Sequence, residues 1–151
     1  MNASAGTADD TAREPTSETT AEALFGQFEV ALADARSALK HMALLCSFRG
    51  PASYGAMTSA VEACVRALTH YHAVAQHEID AEVVHLRFGA VLAKHFHASA
   101  LRQADELDRL YLALRAARSW QEHSRAVFMT ALVLSAELDA HASDLRRVLE
   151  R

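Results

Sequence analysis

Glycine and proline are scarce in this chain of 151 residues, at five and two. Beyond position 17 they almost vanish, and the interruptions that remain are "FRGPASYG" at Phe48–Gly55, the lone Gly89 and the polar "RAARSWQEH" around Ser119. Breakers this sparse divide the chain into a few long helices. Cysteine is equally rare. Cys46 and Cys64 are too few for a disulfide framework, and flanking a hairpin that turns near Pro51 they lie about 12 Å apart in level at the helical rise, so two free, buried thiols are expected. Basic residues do not predominate: the net charge is −4, the pI is near 6.1, and no Lys/Arg-rich patch supports binding to nucleic acid or an anionic membrane. No apolar run approaches the roughly 18 residues needed to span a bilayer, and the N-terminus lacks the basic-then-apolar pattern of a signal peptide. A cytoplasmic protein is the expectation. Neither a phosphate-binding glycine loop nor a Ser–His–acid elbow is present, so an ordinary enzyme active site is not expected.

What is present is apolar residues at helical spacing. Met1–Ser17, "MNASAGTADDTAREPTS", has no such period and reads as a disordered leader (1–17), leaving residues 18–151 as one domain. In the first helical segment Phe25, Phe28, Leu32, Ala35, Leu39, Met42 and Cys46 recur at alternating three- and four-residue steps, the stripe of one buried face. The second carries Val61, Val65, Leu68, His72, Ala75, Ile79, Val83 and Leu86; the third, Phe96, Ala100, Leu107, Leu110 and Leu114. The fourth has Trp120, Val127, Ala131, Leu134, Leu138, His141, Leu145 and Val148. Four helices of similar length joined by short loops predict an all-α fold, an antiparallel up-down-up-down four-helix bundle.

The nine histidines raise the question of a metal. Four of them fall in "HYHAVAQHEIDAEVVHLRF" at His70–Phe88, with Glu78, Asp80 and Glu82 among them. At about 100° per residue His72 and His141 fall on apolar stripes, with His123 near the start of its helix. His70, His77, His85 and His41 point away from theirs.

The stretch "QHEIDAEVVHLRF" resembles the motif near the end of the second helix of the hemerythrins and bacterial hemerythrin-like (HHE) domains, HHxxED followed by an apolar run, Pro and Leu. In that alignment Gln76 takes the place of the first His, Asp80 that of the Glu and Leu86 that of the Pro. "QADELDRL" is similar to the family's EHxxLxxL segment, with Ala104 at the ligand His, and His141 matches the His of HxxxE with Leu145 at its Glu. Ala35 lies near the first helix's ligand position. The resemblance spans Leu24 to the C-terminus and implies a hemerythrin-like bundle, the fold that in the family holds an oxo-bridged di-iron centre for oxygen, nitric oxide or iron. With Gln76, Ala104 and Leu145 at ligand positions, it also implies that the metal centre is absent or altered here.

Two functional classes follow. One is a bundle acting in binding or sensing rather than catalysis. The alternative is a functional metal protein, holding iron or a mononuclear zinc through His141 and Asp80, with His72 or Glu82 as optional further ligands, since counting back from the helix ends puts Asp80 and His141 at one level. "Glu82-Val-Val-His85" also matches the Glu-x-x-His of ferritin-like bundles, but no second copy exists. Against every metal assignment stands the ordinary role of a histidine on an apolar face, a core residue hydrogen-bonded to its neighbours. Finally, His70, Val74, His77, Ala81, Val84 and Phe88 make a second apolar face on the second helix, which predicts a homodimer with His70 and His77 at its interface. A monomer in sedimentation at pH 8 would exclude it.

Overall fold

The computed structural model describes residues 17–47, 51–83 and 89–150. Among these it has four helices and no strand: α1 (Ser17–Leu45), α2 (Pro51–Val83), α3 (Gly89–Ala116) and α4 (Trp120–Leu149). The expected leader lies outside the described residues except for Ser17, the first residue of α1. Among the described residues, no helix is long and apolar enough to cross a membrane.

Each boundary has a local cause. α2 opens at Pro51, where the missing N–H costs nothing and the fixed φ suits a first helical turn. The break expected over Phe48–Gly55 is therefore shorter, and Gly55 is helical. Ser119 caps α4 from an extended conformation, its Oγ accepting from the Glu122 N–H at 3.2 Å. The Glu122 carboxylate reaches back to the Arg118 N–H at 2.7 Å. A Ser-x-x-Glu sequence favours a return bond from the Glu to the N–H of the cap itself; here the Glu takes the N–H one residue earlier.

α1 and α3 each pack against both α2 and α4, and α2 also meets α4 across the centre. Two rungs tie α1 to α4, Glu29–Arg146 at 2.6 Å and Arg36–Asp139 at 2.9 Å. Two more tie α3 to α4, His95–Asp144 at 3.0 Å and Arg102–Glu137 at 3.4 Å. The Glu29–Arg146 pair is bidentate, and the guanidinium holds the Glu29 carboxyl below the usual carboxylate range. The core between them follows the expected stripes: Phe28, Leu32, Ala35, Leu39 and Met42 of α1 are buried, as are Val127, Leu134, Leu138 and Leu145 of α4. Each fully buried Leu or Phe of this kind contributes about 1.5–3 kcal/mol. Cys64 is buried and its thiol is pushed up to about 11 by that burial, whereas Cys46 is only half-buried. Both are free, and the expectation of two buried thiols holds for one of them.

Candidate functional site

The polar centre of the core is built from one step along α2. Tyr71 and His72 are neighbours in sequence, so their side chains leave the helix about 100° apart. Tyr71 turns to α1 and α4, meeting Phe28 at 5.7 Å between ring centroids and donating its hydroxyl toward His141 Nδ1 at 2.7 Å. His72 turns to α3, where its Nε2 lies 3.0 Å from Gln103 Oε1. The two imidazoles then meet edge-on, 5.1 Å apart, with Phe96 of α3 against His141 at 5.2 Å. Three helices thus deliver a Tyr71–His141 pair and a His72–Gln103 pair in contact.

Burial decides their protonation. His141 is 3 % exposed, and its imidazole is pushed down to about 4, first by desolvation and then by the neighbouring His72 and His95, with Asp144 opposing. His72 is lowered too, by burial, against the pull of its bond to Gln103. Burial drives the Tyr71 hydroxyl well above the ordinary tyrosine range. All three groups are therefore neutral at pH 7. The Tyr71 O–H is assigned as donor to His141 Nδ1, the acceptor 2.7 Å from it, which leaves the ring proton on Nε2. A Gln carbonyl oxygen only accepts, so His72 also carries its proton on Nε2. Tyr71 and His141, shifted in opposite directions away from pH 7, are poor general acids and bases, which is why the arrangement suits binding better than proton transfer.

The network is open on one side. Between α2 and α3 lies a cleft of about 310 Å³ whose walls include Leu68, His72, Ala100, Leu101, Gln103 and Leu107. Gln103 is 1 % exposed; its Oε1 is taken by His72 while its Nε2, also buried, has no hydrogen-bond partner among the described residues.

The sequence-derived candidates separate in space. His72 and His141 come together. Asp80 does not join them: it is exposed, and its Oδ1 accepts from Gln76 Nε2 at 2.8 Å. Eight residues beyond His72 on one helix, it lies about 12 Å further along the axis. The level assigned by counting from the helix ends is at fault, because Tyr71, and not Asp80, is the α2 residue level with His141. The α2 and α4 ends are not flush: α2 runs about three turns past Tyr71 to Val83, and α4 about two turns past His141 to Leu149. The side chain of Glu82, and His85 with it, lies outside the described residues. Glu78, not Asp80, is the α2 carboxylate turned inward, at 6 % exposure. His123 is half-buried against the Tyr54 ring at 5.1 Å.

The donors do not fit a di-iron centre. His141 Nδ1 is engaged by Tyr71 and His72 Nε2 by Gln103, while the buried Ala35 and Leu145 carry no ligand atom. Among the described residues, no group of three or more His, Cys, Asp or Glu side chains is placed to hold a metal ion.

On the outward side of α2, His70, His77 and Ala81 are exposed. Val74 is half-buried against the core instead, and Val84 and Phe88 lie outside the described residues. Tyr71 and Gln103 are the residues that stripe-reading missed. Comparison of the chain with known protein families, curated proteins and solved structures finds no significant match.

Proposed function

We propose that the chain is a ligand-binding or sensing bundle of up-down-up-down, hemerythrin-like build, in which a neutral hydrogen-bonded core stands where that family holds its metal. The alternation of direction is supported by the rungs of the fold: partner numbers in α4 fall as those in α1 and α3 rise, and rise with those in α2 from Tyr54–His123 to Tyr71–His141. The hemerythrin-like part rests on the sequence resemblance together with this helix order.

The observation that carries the functional reading is the pairing of His72 with Gln103 at the wall of the α2–α3 cleft. It places polar groups of fixed protonation beside an apolar recess, the combination that orients a small molecule in a binding site. A second reading, a metal protein using iron or zinc, is favoured by one observation, the 5.1 Å approach of the His72 and His141 rings. Such an ion would have to displace Tyr71 or Gln103 from the ring nitrogens or use the opposite ones, and Zn accepts imidazole ligands of this kind.

Elemental analysis of protein purified without a histidine tag, before and after incubation with iron and zinc salts, separates the two. The binding-module reading expects well under one metal per chain in both samples. About two irons per chain with near-ultraviolet oxo-bridge absorption, or one tightly held zinc lost on His141→Leu, would overturn it.

A further inference from the structure

The α2–α3 cleft has a chemistry that selects its occupant. Its walls are mostly apolar, from Leu68, Ala100, Leu101 and Leu107, and none of its lining residues is Asp, Glu, Lys or Arg. The imidazole at its inner wall, His72, is held neutral by burial. A charged ligand seated against this inner wall would give up hydration with no fixed charge to meet it, since the other histidine of the lining, His97, is exposed to solvent.

Size narrows the choice further. An apolar cavity of about 150 Å³ takes one benzene ring, so about 310 Å³ has room for a ring with substituents and is too small for a nucleotide. Leu101 at the rim is half exposed, apolar surface that a bound molecule would cover.

One polar atom of a residue that lines the cleft is unsatisfied among the described residues. Gln103 is almost wholly buried, and the bond from His72 Nε2 to its Oε1 fixes which end of the amide is left over. That end is the Nε2 donor, which has no partner. The hydroxyl of the lining residue Thr69 already donates to the Val65 carbonyl at 2.8 Å. Buried donors in folded proteins are almost always paired, and an orphan donor on a side chain that lines an open cleft points to a partner entering from that cleft.

We propose that this cleft binds a small, uncharged, largely apolar molecule through a single hydrogen-bond acceptor, such as a carbonyl oxygen, held by Gln103 Nε2. The proposal rests on the binding-module reading above and names its ligand class.

Acetophenone and α-methylstyrene are close in shape, with C=O in the first replaced by C=CH2 in the second, so they serve as probes. Each is titrated into the full chain while the backbone amides of Thr69, Ala100 and Ala104 are followed by NMR. Both are expected to shift these amides, with acetophenone binding about fivefold more tightly, the worth of one neutral hydrogen bond. Gln103→Leu should remove that preference. Ala104→Phe, at an exposed position on the cleft edge, should block both probes without disturbing the core. The wild-type comparison needs no variant, so the test stands even where Gln103→Leu fails to fold. Equal affinities for the two probes, or a preference that survives Gln103→Leu, would overturn the acceptor assignment and leave the binding module in place. No shift with either probe would overturn both.

Discussion

His141 shows what a bundle core does to an imidazole. Its neighbours are a phenol, a phenyl ring and a second imidazole, and none of them carries a negative charge to offset the desolvation of an imidazolium. Its folded value of about 4 lies below the unfolded 6.5, so between those values the unfolded chain binds a proton that the folded chain does not. Stability is therefore full above pH 6.5 and falls as pH drops toward 4, by about 3 kcal/mol for this group alone. His72, lowered in the same direction, adds to the loss. Urea denaturation at pH 7.5 and pH 4.5 is expected to show this loss, and His141→Gln should flatten much of it; a wild-type midpoint unchanged between the two pH values would contradict the neutral core. The inward place of His141 was legible because it sits in register with Leu134, Leu138 and Leu145. Tyr71 and Gln103 were not: Tyr71 is three residues after Leu68 and four before Ala75, as much on the stripe as His72, but a polar residue in an apolar stripe draws the eye first. Gln103 lies one heptad from both Phe96 and Leu110, and only a partner on another helix explains a buried amide there.

At the scale of the element, period and breakers were the strong signals, and the number of helices and their apolar faces could be read from them. Register between helices could not, because it depends on how far each runs past the level of its partners, which no single segment encodes. That is why Asp80 was set beside His141 and is found about 13 Å beyond the Tyr71 level along α2. The start of α2 was set too late for a related reason, since Pro51 and Gly55 look like turn residues while Pro51 is well suited to a first helical position. Gly55 is then a helical glycine without a steric purpose: a methyl added there meets nothing within 4 Å, and the same holds at Gly26 in α1. Gly55→Ala is expected to stabilise the fold by about 0.5–1 kcal/mol through lower chain entropy and better helix propensity. Thermal melting checks it, and a lowered midpoint would show that this turn of α2 is not helical in solution.

For the molecule as a whole, four helices converge on a centre that is polar but uncharged, and the charged pairs lie outside it, on the α1–α4 and α3–α4 seams. The exposed rungs contribute little each, about 0–1 kcal/mol, so they align the helices more than they stabilise them. The central claim is that this centre is a pair of neutral, Nε2-protonated histidines held by Tyr71 and Gln103. Long-range nitrogen–proton correlation NMR of chain labelled with nitrogen-15 histidine reads ring tautomer, protonation and metal ligation at once. The account predicts two histidines locked as the neutral Nε2–H tautomer at pH 7, with His141 half-protonated only near pH 4 and its signals moved by Tyr71→Phe. A His141 that titrates near pH 6.5, or whose signals are broadened or shifted by a bound metal that a chelator removes, would contradict it.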